Sequence, residues 1–94
     1  MLEVRKTERF LADVEDIVVF VARDNGQGAL DLEALLHSQT AQLADPNFPR
    51  RRGRVPGTWE LVAHPNYVVV LQQTPTAVTV LAVLHVARQF PPAR

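Results

Sequence analysis

The sequence predicts an α+β fold: an N-terminal strand, an antiparallel helical hairpin, then a three-stranded antiparallel meander. Three observations predict it. Apolar residues recur at three- and four-residue steps through the first half of the chain. They recur at two-residue steps through the last third. Between the two lies a stretch from Asp45 to Gly57 in which Pro46, Pro49, Pro56 and two glycines interrupt every period.

The first strand is expected over Leu2 to Arg5. Thr7 follows at an N-cap position, where a hydroxyl accepts a hydrogen bond from the first helical turn. Phe10, Val14, Ile17, Val18 and Val21 form an apolar stripe, with Glu8, Asp13, Glu15 and Asp16 read as the opposite face, so a helix is expected from Glu8 to Arg23. Its β-branched residues lower intrinsic propensity, so packing must hold it. Asp24-Asn25-Gly26 ends it, and a second helix from Gln27 to Leu43 carries Leu32, Leu35, Leu36 and Leu43 on one stripe. A short link between two amphipathic helices makes them an antiparallel hairpin. The meander strands are expected at Thr58 to Ala63, Asn66 to Gln73 and Val78 to Val86, with turns at His64-Pro65 and Thr74-Pro75-Thr76. The last strand is apolar on both faces through its middle, as in a strand covered on each side. The hairpin supplies one cover, and a loop or another protein must supply the other. The tail Phe90-Pro91-Pro92-Ala93-Arg94 cannot extend the sheet, because proline lacks the ladder donor.

Ninety-four residues, 47% hydrophobic and 21% charged, describe one domain over residues 1–94. Ten basic and ten acidic side chains give zero net charge, which removes any global argument for nucleic-acid or anionic-membrane binding and makes electrostatics local. With no cysteine, disulfides, thiolate zinc sites and a cysteine nucleophile are excluded, and a reducing cytoplasm fits. The longest strictly apolar run, Ile17 to Ala22, is far short of the roughly 20 residues that span a bilayer, so no membrane role is expected.

Arg50, Arg51, Arg52 and Arg54 are the strongest local signal. Guanidinium forks match phosphate oxygens, and Arg88, Arg5 and Lys6 are expected to converge on the same end of the sheet. The alternative is a solvated basic loop balancing the acidic helix face. His85 at the end of the last strand, with Arg88 three residues on, is a candidate acid or base beside a phosphate clamp, or a structural histidine. Glu60 is a candidate base, with a surface ion pair to Arg54 as the simpler reading. His37 and His64 have no ligand-like partners, so neither a metal nor another cofactor is expected. Trp59 reads as a core or partner-contact residue in preference to a base-stacking one.

The run Gly53-Arg54-Val55-Pro56-Gly57-Thr58-Trp59-Glu60-Leu61-Val62, then His64-Pro65-Asn66-Tyr67-Val68-Val69, then Val80-Leu81-Ala82-Val83-Leu84-His85-Val86-Ala87-Arg88-Gln89, resembles the RelE/ParE family of toxins from bacterial type II toxin-antitoxin modules. The acidic-apolar first helix and its end at Ala22-Arg23-Asp24-Asn25 agree, so the resemblance covers nearly the whole chain. It implies a sheet with a helical hairpin on one face and a cognate antitoxin protein that wraps it. Family members either cut mRNA on the ribosome without metal or bind DNA gyrase and poison it. The first activity is the expected one, with the second as the alternative: under the first, Arg54 and Arg88 would carry charge, His85 or Glu60 protons, and Arg50, Arg51 and Arg52 substrate contacts. Under the second, the chain is a non-enzymatic binder. The family pattern has arginine where this chain has Trp59 and Ala82. Two cations lost from a phosphate-facing sheet would disarm either activity, leaving an antitoxin-binding partner.

Overall fold

The computed structural model describes residues 1–87. Strand β1 (Glu3–Lys6) leads into α1 (Glu8–Ala22), α2 (Gly26–Ala41) and a 3₁₀ turn at Gln42–Ala44. Then come β2 (Arg51–Arg52), β3 (Trp59–His64), β4 (Tyr67–Gln73) and β5 (Ala77–His85). The α+β class, the hairpin and the antiparallel meander are all present. Two features lie outside the sequence-based expectation. A two-residue strand, β2, sits inside the proline-bearing stretch, and β1 pairs with β5 in parallel, giving one five-stranded sheet ordered β1-β5-β4-β3-β2.

The helix starts are capped as their sequences demand. Thr7 Oγ1 accepts from the Phe10 N–H at 3.1 Å and donates to the Val80 carbonyl at 2.8 Å, so a single hydroxyl starts α1 and fastens it to β5. Asn25 does the first of these jobs for α2, accepting from the Gly28 N–H at 2.9 Å. Both helices pack on one face of the sheet. Phe10 and Val14 of α1 and Leu32 and Leu36 of α2 meet Leu61, Val69, Leu71, Val78, Val80 and Val83 in a single core.

The other face is also buried. Val70 stands opposite Glu60 on one side and Ala82 on the other, and Val68, Val70, Ala82 and Glu60 are all nearly inaccessible. Arg54, from the β2–β3 turn, lies against this face, sharing a water-sized niche of about 10 Å³ with Glu60, Val68, Leu84, His85 and Val86. That turn is tight. Gly53 donates its N–H to the Thr58 carbonyl at 2.8 Å, and a Cβ on Gly53 would collide with the Thr58 side chain. Gly57 takes φ +86°, which only glycine adopts freely. A register shift opposite Val70 and Leu71 skips Leu81, so Val80 and Val83 both reach the helix-side core while Ala82 faces away.

Candidate functional site

The four loop arginines divide into two kinds. Arg50 is a fastener: its guanidinium donates to the carbonyls of Phe48 (2.9 Å), Asp45 (2.6 Å) and Leu43 (3.5 Å) and to Gln73 Oε1 (2.9 Å). Burial pushes its pKa below the ordinary arginine value, partly offset by the nearby Asp45 charge. Arg51, Arg52 and Arg54 form the exposed basic hairpin at the β2 edge.

Glu60 sits beneath it. The surface ion pair expected of this residue is corrected by its burial: the side chain is 2% exposed. Oε1 accepts from Arg51 Nε at 3.1 Å and lies 3.0 Å from Arg51 Nη2. Oε2 accepts from the Arg54 N–H at 3.1 Å, with Arg54 Nε at 3.7 Å. Alternation places Arg51 and Glu60 on the same face because they are direct partners across the β2–β3 ladder. The carboxylate therefore organises the hairpin, engaging Arg51 by its side chain and Arg54 by main chain and side chain together.

Arg5 and Lys6 do not converge with these residues. They lie on β1, and β1 and β2 are the opposite edges of the sheet, about 19 Å apart at the ordinary strand spacing. Arg5 pairs with Glu3 at 2.9 Å, and Lys6 Nζ lies 3.0 Å from His37 Nδ1. Hydrogen bonding and charge from Arg5 hold the Glu3 carboxyl below its usual range. His85 does reach the Glu60 side of the molecule, lining the same niche as Arg54. Its Nδ1 accepts from the Ala87 N–H at 3.0 Å, and its ring stands edge-on to Tyr67, 5.1 Å between centroids. Arg88 lies outside the described residues. Among those described, no three histidine, cysteine or carboxylate side chains gather where one metal ion would bind.

Trp59 and Ala82 occupy opposite faces, so they are not two positions of one phosphate-facing surface. Trp59 packs half-buried against the helix-side core, opposite Leu71, with the Arg52 guanidinium 5.3 Å from its ring centroid. That cation–π contact keeps a positive charge beside position 59. Ala82 is buried on the Glu60 face, one strand beyond Val70.

One functional feature escaped the reading of the sequence. Asp13, assigned there to the outer face of α1, accepts from the Val83 N–H at 3.0 Å. Its spacing of three from Phe10 and four to Ile17 puts it on the inward stripe, and that spacing was the available signal. Beside it a cleft of about 480 Å³ opens between α1 and the end of β5, with Asp16, Phe20, Tyr67 and His85 among its walls.

Residues 4–90 match the family model described as the ParE toxin of the type II toxin-antitoxin system parDE. Among curated proteins, no sequence matches this one. Several solved structures share the fold, among them the following two. A chain of the chromosomal ParDE system from P. aeruginosa superposes with TM-score 0.81 at 18% identity, over 90% of this chain and 96% of that one. A chain of the E. coli DinJ-YafQ complex superposes with TM-score 0.61 at 12% identity, over 96% and 99% respectively.

Proposed function

This chain belongs to the ParE toxin family, within the RelE/ParE group of type II toxin-antitoxin toxins, and from that premise we propose that it stops growth by binding DNA gyrase and not by cutting RNA. A cognate antitoxin protein restrains it, as the ParDE and DinJ-YafQ assemblies around its two structural neighbours suggest.

The observation that carries the choice of target is the state of Glu60. Cleavage of RNA by its own 2′-hydroxyl needs a base at the nucleophile, an acid at the leaving group and cations on the phosphate. The carboxylate nearest the arginine hairpin is buried and both its oxygens accept hydrogen bonds from the arginines, so it is engaged as their anchor and is closed off from a substrate hydroxyl by its 2% exposure. A site that only binds needs no proton carrier. It needs positioned donors on a rigid edge, which Glu60 gives to Arg51 and Arg54. Arg52 adds a third cation, held over Trp59.

The mRNA-cleaving reading rests on one arrangement, the meeting of Arg54, Glu60 and His85 around the small niche. A space of about 10 Å³ admits a water and no phosphate, so that reading also requires the niche to open. Expression of the chain without an antitoxin separates the two. Gyrase binding predicts double-strand DNA breaks and induction of the DNA-damage response while mRNA stays intact. Ribosome-dependent mRNA cuts without DNA breaks would reverse the assignment.

A further inference from the structure

Strand β5 runs on beyond its neighbour. β1 pairs with it only from Ala77 to Val80. The chain then turns into α1 at Thr7, whose N–H and hydroxyl both bond the Val80 carbonyl. From Leu81 to His85, β5 keeps β4 on one side, and among the described residues no strand lies on the other.

The direction of the backbone groups along this run is fixed by two hydrogen bonds. The Val86 N–H bonds the Asn66 carbonyl, on the β4 side. The Val83 N–H points the other way, to Asp13. Alternation along a strand therefore sends the Val83 carbonyl and the His85 N–H to the same outer edge. A carboxylate on Val83 stands where a neighbouring strand would place a carbonyl.

That edge forms one wall of the 480 Å³ cleft beside α1. The opposite wall is acidic and apolar together. Asp13, Glu15 and Asp16 line it with one arginine, Arg23, which lies over the Phe20 ring; Asp13 also pairs with Arg9 at 3.4 Å, so Glu15 and Asp16 carry its acidic character, and Phe20 and Val19 remain 64% and 56% exposed. A stable helix normally turns such residues inward, so an exposed Phe beside an open strand edge marks a contact surface. The charge disfavours phosphate-rich ligands and acidic peptides, which Glu15 and Asp16 would repel.

We propose that the α1–β5 cleft is a strand-addition site for an extended protein segment in which basic and apolar residues alternate. The added strand occupies the place β1 vacates at Thr7. Its carbonyl takes over the Val83 N–H, its own N–H meets the Val83 carbonyl, and the released Asp13 pairs with one of its cations. Main-chain pairing supplies affinity, and alternate side chains supply specificity: apolar ones against Phe20, basic ones toward Asp13 and Asp16. This cleft opens on the α1 side of β5, and of its lining residues only His85 also lines the niche beside Arg54. The proposal is independent of the choice between gyrase and mRNA.

The test uses the full chain and a fluorescein-labelled ten-residue peptide of alternating lysine and valine. Two controls accompany it: the same peptide with glutamate for lysine, and with alternate backbone nitrogens methylated. Anisotropy should show binding of the lysine peptide alone. Amide exchange at His85 should slow at least about tenfold as its N–H acquires a partner. Asp16→Asn, at an exposed position, should leave the melting temperature unchanged and weaken the lysine peptide roughly two- to fivefold, the range of a surface ion pair. Absence of binding, binding that survives methylation, or protection at the β3 edge in place of β5 would each overturn the strand-addition site. Equal binding of the glutamate peptide, or no effect of Asp16→Asn, would overturn the basic partner.

Discussion

Glu60→Gln is the perturbation that best separates an anchor from a base. Glutamine keeps the size of the side chain and one acceptor for Arg51. Its amide NH₂ must then face the Arg54 N–H, donor against donor, where Oε2 now accepts at 3.1 Å. Removing one partner of a fully buried ion pair costs about 3–5 kcal/mol. Arg51 and Arg54 remain 53% and 40% exposed and can turn to water, which reduces the loss to about 1–3 kcal/mol. In a domain of this size each kcal/mol moves the melting temperature by about 4–8 °C, so Glu60→Gln should melt about 4–24 °C lower than the parent. Thermal unfolding by circular dichroism reads this directly. In a double-mutant cycle with Arg51→Ala, the coupling should be about 1 kcal/mol or more, because the two side chains touch. An unchanged melting temperature together with no coupling would refute the anchoring role. If the same variant kept its stability but lost an mRNA-cleaving activity, Glu60 would be the base.

Arg50→Ala should lower stability by about 1–3 kcal/mol, as three carbonyls lose a charged donor, and should leave target binding unchanged in the surviving folded fraction. Denaturant titration beside a pull-down of gyrase checks it. Thr7→Ala should cost about 1–2 kcal/mol, losing a cap and a tie to β5 at once, while Thr7→Ser should keep most of it; chemical denaturation of the two variants decides. Trp59→Arg should destabilise by removing a half-buried ring from the core, whereas Ala82→Arg adds its cation to the Glu60 face. If the family cation at 82 matters, Ala82→Arg should raise toxicity in a growth assay and Trp59→Arg should not; the reverse result would locate the determinant on the helix side. Co-expression with a cognate antitoxin should raise the melting temperature, since a ligand at 100 times its Kd adds about 2.7 kcal/mol, and a scan of the co-purified pair tests it.

Local signals carried most of the architecture. The Thr7 cap, the Asn25-Gly26 break and the change of period after residue 57 each depend on neighbouring residues, and each stands where the sequence placed it, within a residue or two. What stayed hidden depends on residues far apart in the chain. Nothing near Glu3–Lys6 announces a parallel partner more than seventy positions away. β2 is two arginines between Arg50 and Gly53, too short for any period to register. Glu60 alternates with Trp59 and Leu61, so its pattern reads as solvent-facing. Only the tight turn from Gly53 to Thr58, which folds Arg54 back over the second face, makes that position interior. The register shift beside Leu81 has the same effect on Trp59 and Ala82. Simple counting along each strand does not show that they point to opposite faces. The arginine cluster was legible as charge. Its division into a fastener, Arg50, and a presented hairpin was not, because the carbonyls that hold Arg50 belong to the 3₁₀ turn and the loop after it.

Action on gyrase by binding is tested by a supercoiling assay with purified gyrase, relaxed plasmid, ATP and the purified chain, run beside translating ribosomes loaded with a defined mRNA. Supercoiling should be inhibited and cleaved plasmid should accumulate as the chain is added. Arg51→Ala with Arg52→Ala should weaken the effect, and the mRNA should stay full length. Cleaved mRNA with unimpaired supercoiling would contradict action on gyrase.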